Sequence, residues 1–277
     1  YSVPVPQPPF WGDRVVEQIP IKAALGYMNE VMLFQVQWQF RKRGRSAEEF
    51  RAYIDRQVRP IYRQLVERCE REQILQPQAV YGYWPVNSEG DDLIVFEPPT
   101  SSDGRPDGHG PEILRFTFPR QRKNPHWCLA DFWRPLSEGV ADVAAFSIVT
   151  AGRRVSEVAA QWFHETKFQD YLFLHGLGVE TAEALAEYVH KQIRVELDVA
   201  DQDARDLRKL FQQGYQGSRY SFGYPACPNL EDQALLMPLL RPGRIGVSLT
   251  DEYQLEPEQT TNAVIAYHPD ARYFNVR

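Results

Sequence analysis

The densest run of chemistry-bearing residues is Arg219-Tyr-Ser-Phe-Gly-Tyr-Pro-Ala-Cys-Pro228. Pro225 and Pro228 fix their backbone φ, and Gly223 permits a turn that other residues resist. The segment is therefore a stiff loop that presents its backbone polar groups outward. Arg219 at its start can clamp a carboxylate through two parallel hydrogen bonds. Tyr224 adds an aromatic face with a polar tip, suited to a cationic or planar ligand. On these residues alone, a rigid structural turn with a surface arginine is the favoured reading.

Other patterns lead nowhere. His164-Glu165-Thr-Lys-Phe168 has Phe where a zinc-binding helix needs its second His, and His175 stands eleven residues on. Gly176-Leu-Gly178 lacks a third glycine and a preceding strand, so it is no dinucleotide fingerprint. There is no Gly-x-Ser-x-Gly elbow and no phosphate loop, and no metal site is assigned.

The elements that must position Arg219 read as follows. Residues 1–9 alternate proline with small or apolar residues and suit a linker or a frayed terminus. Within residues 23–40, Leu25, Met28, Met32, Leu33 and Phe34 are expected to be buried, and Arg41-Lys-Arg-Gly-Arg45 to be a solvated turn or a docking patch. Ser46-Ala-Glu-Glu49 matches a capping box. The helix it opens carries Phe50, Ile54, Val58, Ile61, Leu65 and Cys69 on one face, with a kink at Pro60. Strands are expected over 79–84, 93–96, 113–118 and 143–150, with a turn at Asn87-Ser-Glu-Gly90 and a loop over 97–111. Residues 155–195 read as helix broken once at His175-Gly-Leu-Gly178. A third helix is expected over 204–213, and short strands and turns over the last sixty residues. Strands and helices do not alternate regularly, so the class is α+β.

The composition closes off other functions. The 277 residues carry 31 Lys+Arg against 37 Asp+Glu, a net charge of -6, which opposes nucleic-acid binding by counterion release. With 43% hydrophobic residues the chain is not disordered, yet no apolar run approaches the ~20 residues that span a bilayer. Cys69, Cys128 and Cys227 are too few and too scattered for a disulfide framework and read as reduced thiols of a cytoplasmic protein. The chain starts at Tyr1 without a signal-like segment, as expected of a processed chain or of a piece of something longer.

The run Arg219-x-x-x-Gly-Tyr-Pro-Ala-Cys-Pro228 resembles the signature of the C-terminal activation domain of cobalamin-dependent methionine synthases. Further stretches agree in order: Pro8-Pro-Phe-Trp-Gly12, Gly90-Asp-Asp92, Cys128-Leu-Ala-Asp-Phe132 with Pro135, Ala182-Glu-Ala-Leu-Ala-Glu-Tyr188 and His268-Pro-Asp-Ala-Arg-Tyr-Phe274. The resemblance covers essentially the whole chain. It implies a single C-shaped α+β domain over residues 10–277, with a twisted antiparallel sheet flanked by helices, preceded by an interdomain linker over 1–9.

It also implies a function: binding S-adenosylmethionine and docking over a cobalamin-binding domain. There flavodoxin or another reductase supplies one electron, and the ligand's methyl group traps cobalt(I) as methylcobalamin. By the same resemblance Arg219 binds the ligand's carboxylate, Tyr224, Pro225 and Ala226 line its methionyl and sulfonium end, and Tyr224 also faces the corrin. Glu183 lies near the ligand or is a solvated helix carboxylate, and Tyr273 and Phe274 contact the ligand. Asn29 stands where some members carry an aspartate for the ligand's amino group, with Glu30 as the neighbour that replaces it if the register slips. Leu230 replaces a histidine found in some members. The sulfonium is a good leaving group, so positioning and not acid–base chemistry is expected of the protein. A free-standing, non-catalytic S-adenosylmethionine sensor is the alternative.

Overall fold

A computed structural model describes residues 3–99 and 110–277; the middle of the expected 97–111 loop and the first two linker residues lie outside the described residues. Strand β1 (Gly12–Val16) leads into the short helix α1 (Ile21–Leu25) and a π-helical turn over Met32–Gln37. Met28, Leu33 and Phe34 are buried there as expected, Leu25 is half-buried, and Met32 faces outward. Ser46 caps α2 (Ala47–Tyr53) reciprocally: its hydroxyl accepts from the Glu49 N–H, and the Glu49 carboxylate accepts from the Ser46 N–H. Pro60 has no N–H to give to the helical ladder. The expected kink accordingly takes the form of a π-helical turn over Ile54–Val58, after which α3 (Arg59–Arg71) resumes.

Strand β2 (Gln78–Glu89) runs through the Asn87-Ser-Glu segment, where the composition predicts a turn. Asn87 is fully buried, and its amide donates to the carbonyls of Arg134 (3.0 Å) and Val140 (2.9 Å), which satisfies it inside the structure. The turn falls instead at Gly90-Asp91, before β3 (Asp92–Phe96). Then come β4 (Glu112–Thr117), β5 (Asp142–Thr150) and α4 (Arg153–His164).

The helix α5 (Phe168–Glu196) is unbroken through His175-Gly-Leu-Gly178; the break lies at Glu165–Lys167, with Thr166 at φ 62°. The two glycines mark close packing. A Cβ on Gly176 would sit 2.8 Å from the Gln37 Cβ, and one on Gly178 3.0 Å from Val155 and Gln259. Helix α6 spans only Leu207–Leu210, not 204–213: Asp206 caps it by accepting from the N–H groups of Arg208 and Lys209, and Gln213 at φ 57° closes the following turn. The C-terminal region contributes β6 (Ser218–Tyr220), a helix α7 (Gln233–Leu240) that the sequence reading lacks, β7 (Ser248–Leu249), β8 (Leu255–Glu256) and β9 (Thr260–Ala266).

The main sheet has seven strands and is antiparallel, in the order β4-β3-β2-β5-β9-β6. β1 pairs with Ala79–Tyr83 on the same edge of β2 whose continuation, Val86–Glu89, pairs with β3. One face is aromatic, built on Phe116, Phe118, Phe146, Tyr220 and Phe222 and closed by α7. The other, carrying Ala79, Tyr81, Ala145, Ala263 and Ile265, packs on Leu185, Val189 and Ile193 of α5. A third cluster joins Val58 and Cys69 of the capped helix to Leu174 and Leu177 of α5, with Ile54, Ile61 and Leu65 packed at its edge. The mixed helix and antiparallel sheet is the α+β arrangement expected. Residues Val3 and Val5 pack against the α5 side, and Arg134 donates to the Val3 carbonyl (2.9 Å). All three cysteines are free and buried; burial pushes the Cys69 and Cys227 thiols up to about 12. No helix among the described residues is long and apolar enough to cross a membrane.

Candidate functional site

Arg219 occupies the middle of β6, opposite Ile265 of β9. Its neighbour Tyr220 belongs to the aromatic face, so strand alternation turns Arg219 toward α5. There its Nη1 donates to Glu187 Oε2 at 2.5 Å and lies 3.5 Å from His190 Nδ1. Nε and Nη2 carry no hydrogen bond among the described residues, and the side chain is 22% exposed. One edge of the guanidinium is thus engaged and the other is left for a bidentate acceptor. Burial opposes the charge, but Glu187, Tyr215 and Glu183 together outweigh it, and the pKa is raised above the ordinary arginine value.

The loop beyond Tyr220 is held from both sides. Gly223 N–H donates to the Cys227 carbonyl (2.9 Å), Cys227 N–H to that of Tyr224 (3.0 Å), and Cys227 Sγ to that of Ser221 (3.1 Å). Gly223 adopts φ +90°, and a Cβ there would meet Leu230 at 2.6 Å. From β9, Asn262 accepts from the Phe222 N–H (3.0 Å) and donates to Gln233 (2.6 Å), which ties the loop to α7. So braced, the loop leaves Tyr224 half exposed and Pro225 at the surface, with the Pro225 carbonyl accepting from Val276 N–H (3.2 Å). Ala226 is buried in the aromatic cluster.

Between α5, this loop and β9 lies a cleft of about 530 Å³, lined among others by Val179, Glu183, Tyr224, Gln259 and Asn262. Burial raises the Glu183 carboxyl pKa, which the nearby Arg219 charge partly counters. Glu183 and burial together raise the Tyr224 phenol. Burial, then the neighbouring Cys227 and Tyr224, raises the phenol of Tyr273, which is 47% exposed and whose N–H donates to Gln213 Oε1 (3.0 Å). Glu183 and Tyr224 thus line the cleft, whereas Arg219 and Tyr273 stand outside its lining, Arg219 acting on Glu183 and Tyr273 neighbouring Tyr224. Phe274 is a core residue, its ring against Trp127, Phe132 and Tyr220. Asn29 does not line the cleft; its Oδ1 accepts from Met32 N–H (3.2 Å) at the start of the π-helical turn. That turn packs on α5 through Gln37, which donates to Glu180 (3.1 Å) one turn before Glu183. Glu30 is bound to Arg59.

The sequence reading missed a polar stripe along α5. Glu180, Glu183, Glu187, His190 and Arg194 recur at three- and four-residue spacing on the face turned to the protein interior, and all but Glu183 are fully buried. Their helical period within an otherwise Ala- and Leu-rich helix was the available signal. Arg194 pairs with Asp203 (3.0 Å) and lies 4.0 Å above the Tyr215 ring. Burial, then Arg194 and Arg219, holds the His190 pKa well below the ordinary histidine value, so the ring is neutral and its Nδ1 can face a guanidinium as an acceptor. No group of three His, Cys, Asp or Glu suited to a metal ion occurs among the described residues.

Comparison with known proteins places the whole chain. The family described as the vitamin B12 dependent methionine synthase activation domain matches residues 24–277. Methionine synthase of Mycobacterium tuberculosis (strain ATCC 25618 / H37Rv) is 41% identical over 287 residues, covering 99% of this chain and 24% of its own length. That of Mycobacterium leprae (strain TN) is 39% identical, covering 99% of this chain and 23% of its own length. The chain thus spans about a quarter of the length of these relatives. Among solved structures, the MetH reactivation domain bound to AdoHcy superposes with a TM-score of 0.83 at 25% identity, over 99% of this chain and 84% of that one.

Proposed function

The chain belongs to the family of vitamin B12 dependent methionine synthase activation domains, and we propose that its α5–loop–β9 cleft binds S-adenosylmethionine for the reductive reactivation of cobalamin. The observation that carries this reading is the half-engaged guanidinium of Arg219. Its open Nε–Nη2 edge takes the ligand's carboxylate, as planar fork geometry favours. A cationic sulfonium near Glu183 favours that residue's carboxylate form against the burial that opposes it. Tyr224 and Tyr273 supply the exposed aromatic lip, and Tyr224 also faces the corrin. Pro225 and Ala226 keep the loop from yielding, and Phe274 anchors Tyr273 from the core. Asn29, outside the cleft lining, is assigned to the ligand's ammonium group on the family resemblance alone, through the lone pair that Met32 leaves unused.

Cobalamin, carried by another domain of the same methyltransferase, supplies the nucleophilic cobalt that receives the methyl group. Flavodoxin or another reductase provides the electron, in the cytoplasm, and residues 1–9 serve as the linker toward the rest of the enzyme. The protein's own contribution is positioning, because a good leaving group needs no general acid. The experiment combines this chain with the cobalamin-carrying remainder of the enzyme, a one-electron donor and methyl-labelled S-adenosylmethionine. Label should appear on the cobalamin and be lost with Arg219→Ala. Binding without any transfer of label would leave only the non-catalytic sensor and contradict this reading.

A further inference from the structure

We propose that Glu187 is the positioning residue of Arg219, holding Nη1 from beneath so that the open edge of the guanidinium faces the cleft. The inference rests on the cleft being the S-adenosylmethionine site. Glu187 Oε2 accepts from Arg219 Nη1 at 2.5 Å, and Glu187 Oε1 lies 3.5 Å from Arg194 Nη2. Arg194 is bound in turn by Asp203 at 3.0 Å, and Lys191 closes the series on the same Asp203 oxygen at 2.8 Å.

Charges therefore alternate from Arg219 through Glu187, Arg194 and Asp203 to Lys191. Their burial is graded. The side chains of Glu187, Arg194 and Asp203 are 3%, 2% and 5% exposed, whereas Arg219 is 22% exposed and is the member whose charge acts on Glu183 in the cleft lining. α5 alone supplies Glu187, Lys191 and Arg194, at a spacing that sets them along one side of the helix.

An arginine side chain has several rotamers of similar energy, and a bidentate contact needs one of them in advance. A buried carboxylate on one edge of the guanidinium selects that rotamer. Arg194, itself held by Asp203, faces the other carboxylate oxygen as an ion pair without a hydrogen bond. Removing Glu187 leaves two guanidiniums, Arg219 and Arg194, without the anion between them, and Arg219 no longer has a fixed orientation.

The consequence is selective. A ligand that uses Arg219 should suffer, and one that has no carboxylate should not. Binding of S-adenosylhomocysteine and of 5′-methylthioadenosine, which shares the nucleoside and thioether but lacks the amino-acid end, is measured on the 277-residue chain and on Glu187→Gln. Glu187→Gln should weaken S-adenosylhomocysteine about tenfold and leave 5′-methylthioadenosine unchanged, and it should add nothing in an Arg219→Ala background. An unchanged or tighter S-adenosylhomocysteine affinity, or equal losses for both ligands, overturns the proposal. If Glu187→Gln does not fold, Asp203→Asn decides: freeing Arg194 should cost S-adenosylhomocysteine about threefold, again sparing 5′-methylthioadenosine, and an unchanged ratio of the two affinities overturns the proposal. Failure of the wild-type chain to bind either ligand would instead sink the reading of the cleft itself.

Discussion

Consecutive residues of β6 sit on opposite faces of the sheet and behave differently. Tyr220 enters the aromatic face, where Phe116 stacks on Phe222 with ring centroids 5.4 Å apart and on Phe146 at 5.8 Å. Arg219 enters the face covered by α5, where apolar contact gives way to Glu187, His190 and Arg194. The first face holds by close packing and dispersion, which depend on volume and not on protonation. The second holds by paired charges, which depend on partners and on pH. A lesion on the aromatic face should therefore cost stability alone, whereas one on the α5 face should link stability to ligand binding.

The largest effect should come from the aromatic face. Phe116→Ala removes a fully buried ring and should cost about 3–5 kcal/mol in urea unfolding, with the affinity of the folded fraction unchanged. Altered affinity would mean that the two faces are not separable. Next is Gly223→Ala in the loop that joins them. With φ +90° and Leu230 at 2.6 Å from the new Cβ, it should cost about 1–3 kcal/mol and also weaken the ligand, since Tyr224 follows directly.

His190 gives a smaller, pH-dependent effect on the α5 face. Its folded pKa lies below its unfolded value of 6.5, so the unfolded chain takes up a proton first on acidification. This contribution to stability is intact above about pH 6.5 and is lost as pH falls from there toward the folded pKa, at about 1.4 kcal/mol per pH unit where it is steepest. His190→Asn keeps an acceptor for Arg219 and should flatten that acid limb; an unaltered limb would place the proton uptake elsewhere. Smallest is Asn29→Asp, which adds an anion toward the ligand's ammonium and should tighten binding about threefold. No change in calorimetry would take Asn29 out of the site.

Local signals in the sequence were reliable where one residue's chemistry decides a backbone choice. Ser46 and Glu49 cap as their spacing predicts, and the strand expected over 143–150 ends at Thr150. Readings failed where a distant partner decides. Gly176 and Gly178 look like helix breakers, yet they sit where Trp38, Gln37, Val155 and Gln259 press closely on α5. Asn87 looks like a turn residue until two carbonyls some fifty residues along the chain satisfy its amide. Asp206 shortened a helix because its side chain caps at that point. The signature loop was legible from its own prolines, glycine and arginine. The acid that holds Arg219 was not, because Glu187 lies 32 residues away and meets it only after α5 has packed on the sheet.

Side-by-side calorimetric titration of the wild-type chain and Arg219→Ala with S-adenosylmethionine tests the central claim most directly. The open guanidinium edge should make the wild type bind and the variant bind one to two orders of magnitude more weakly, since charge-assisted pairs contribute about 1.5–3 kcal/mol. Equal affinities, with both chains folded by circular dichroism, would contradict the assignment of Arg219 to the ligand's carboxylate.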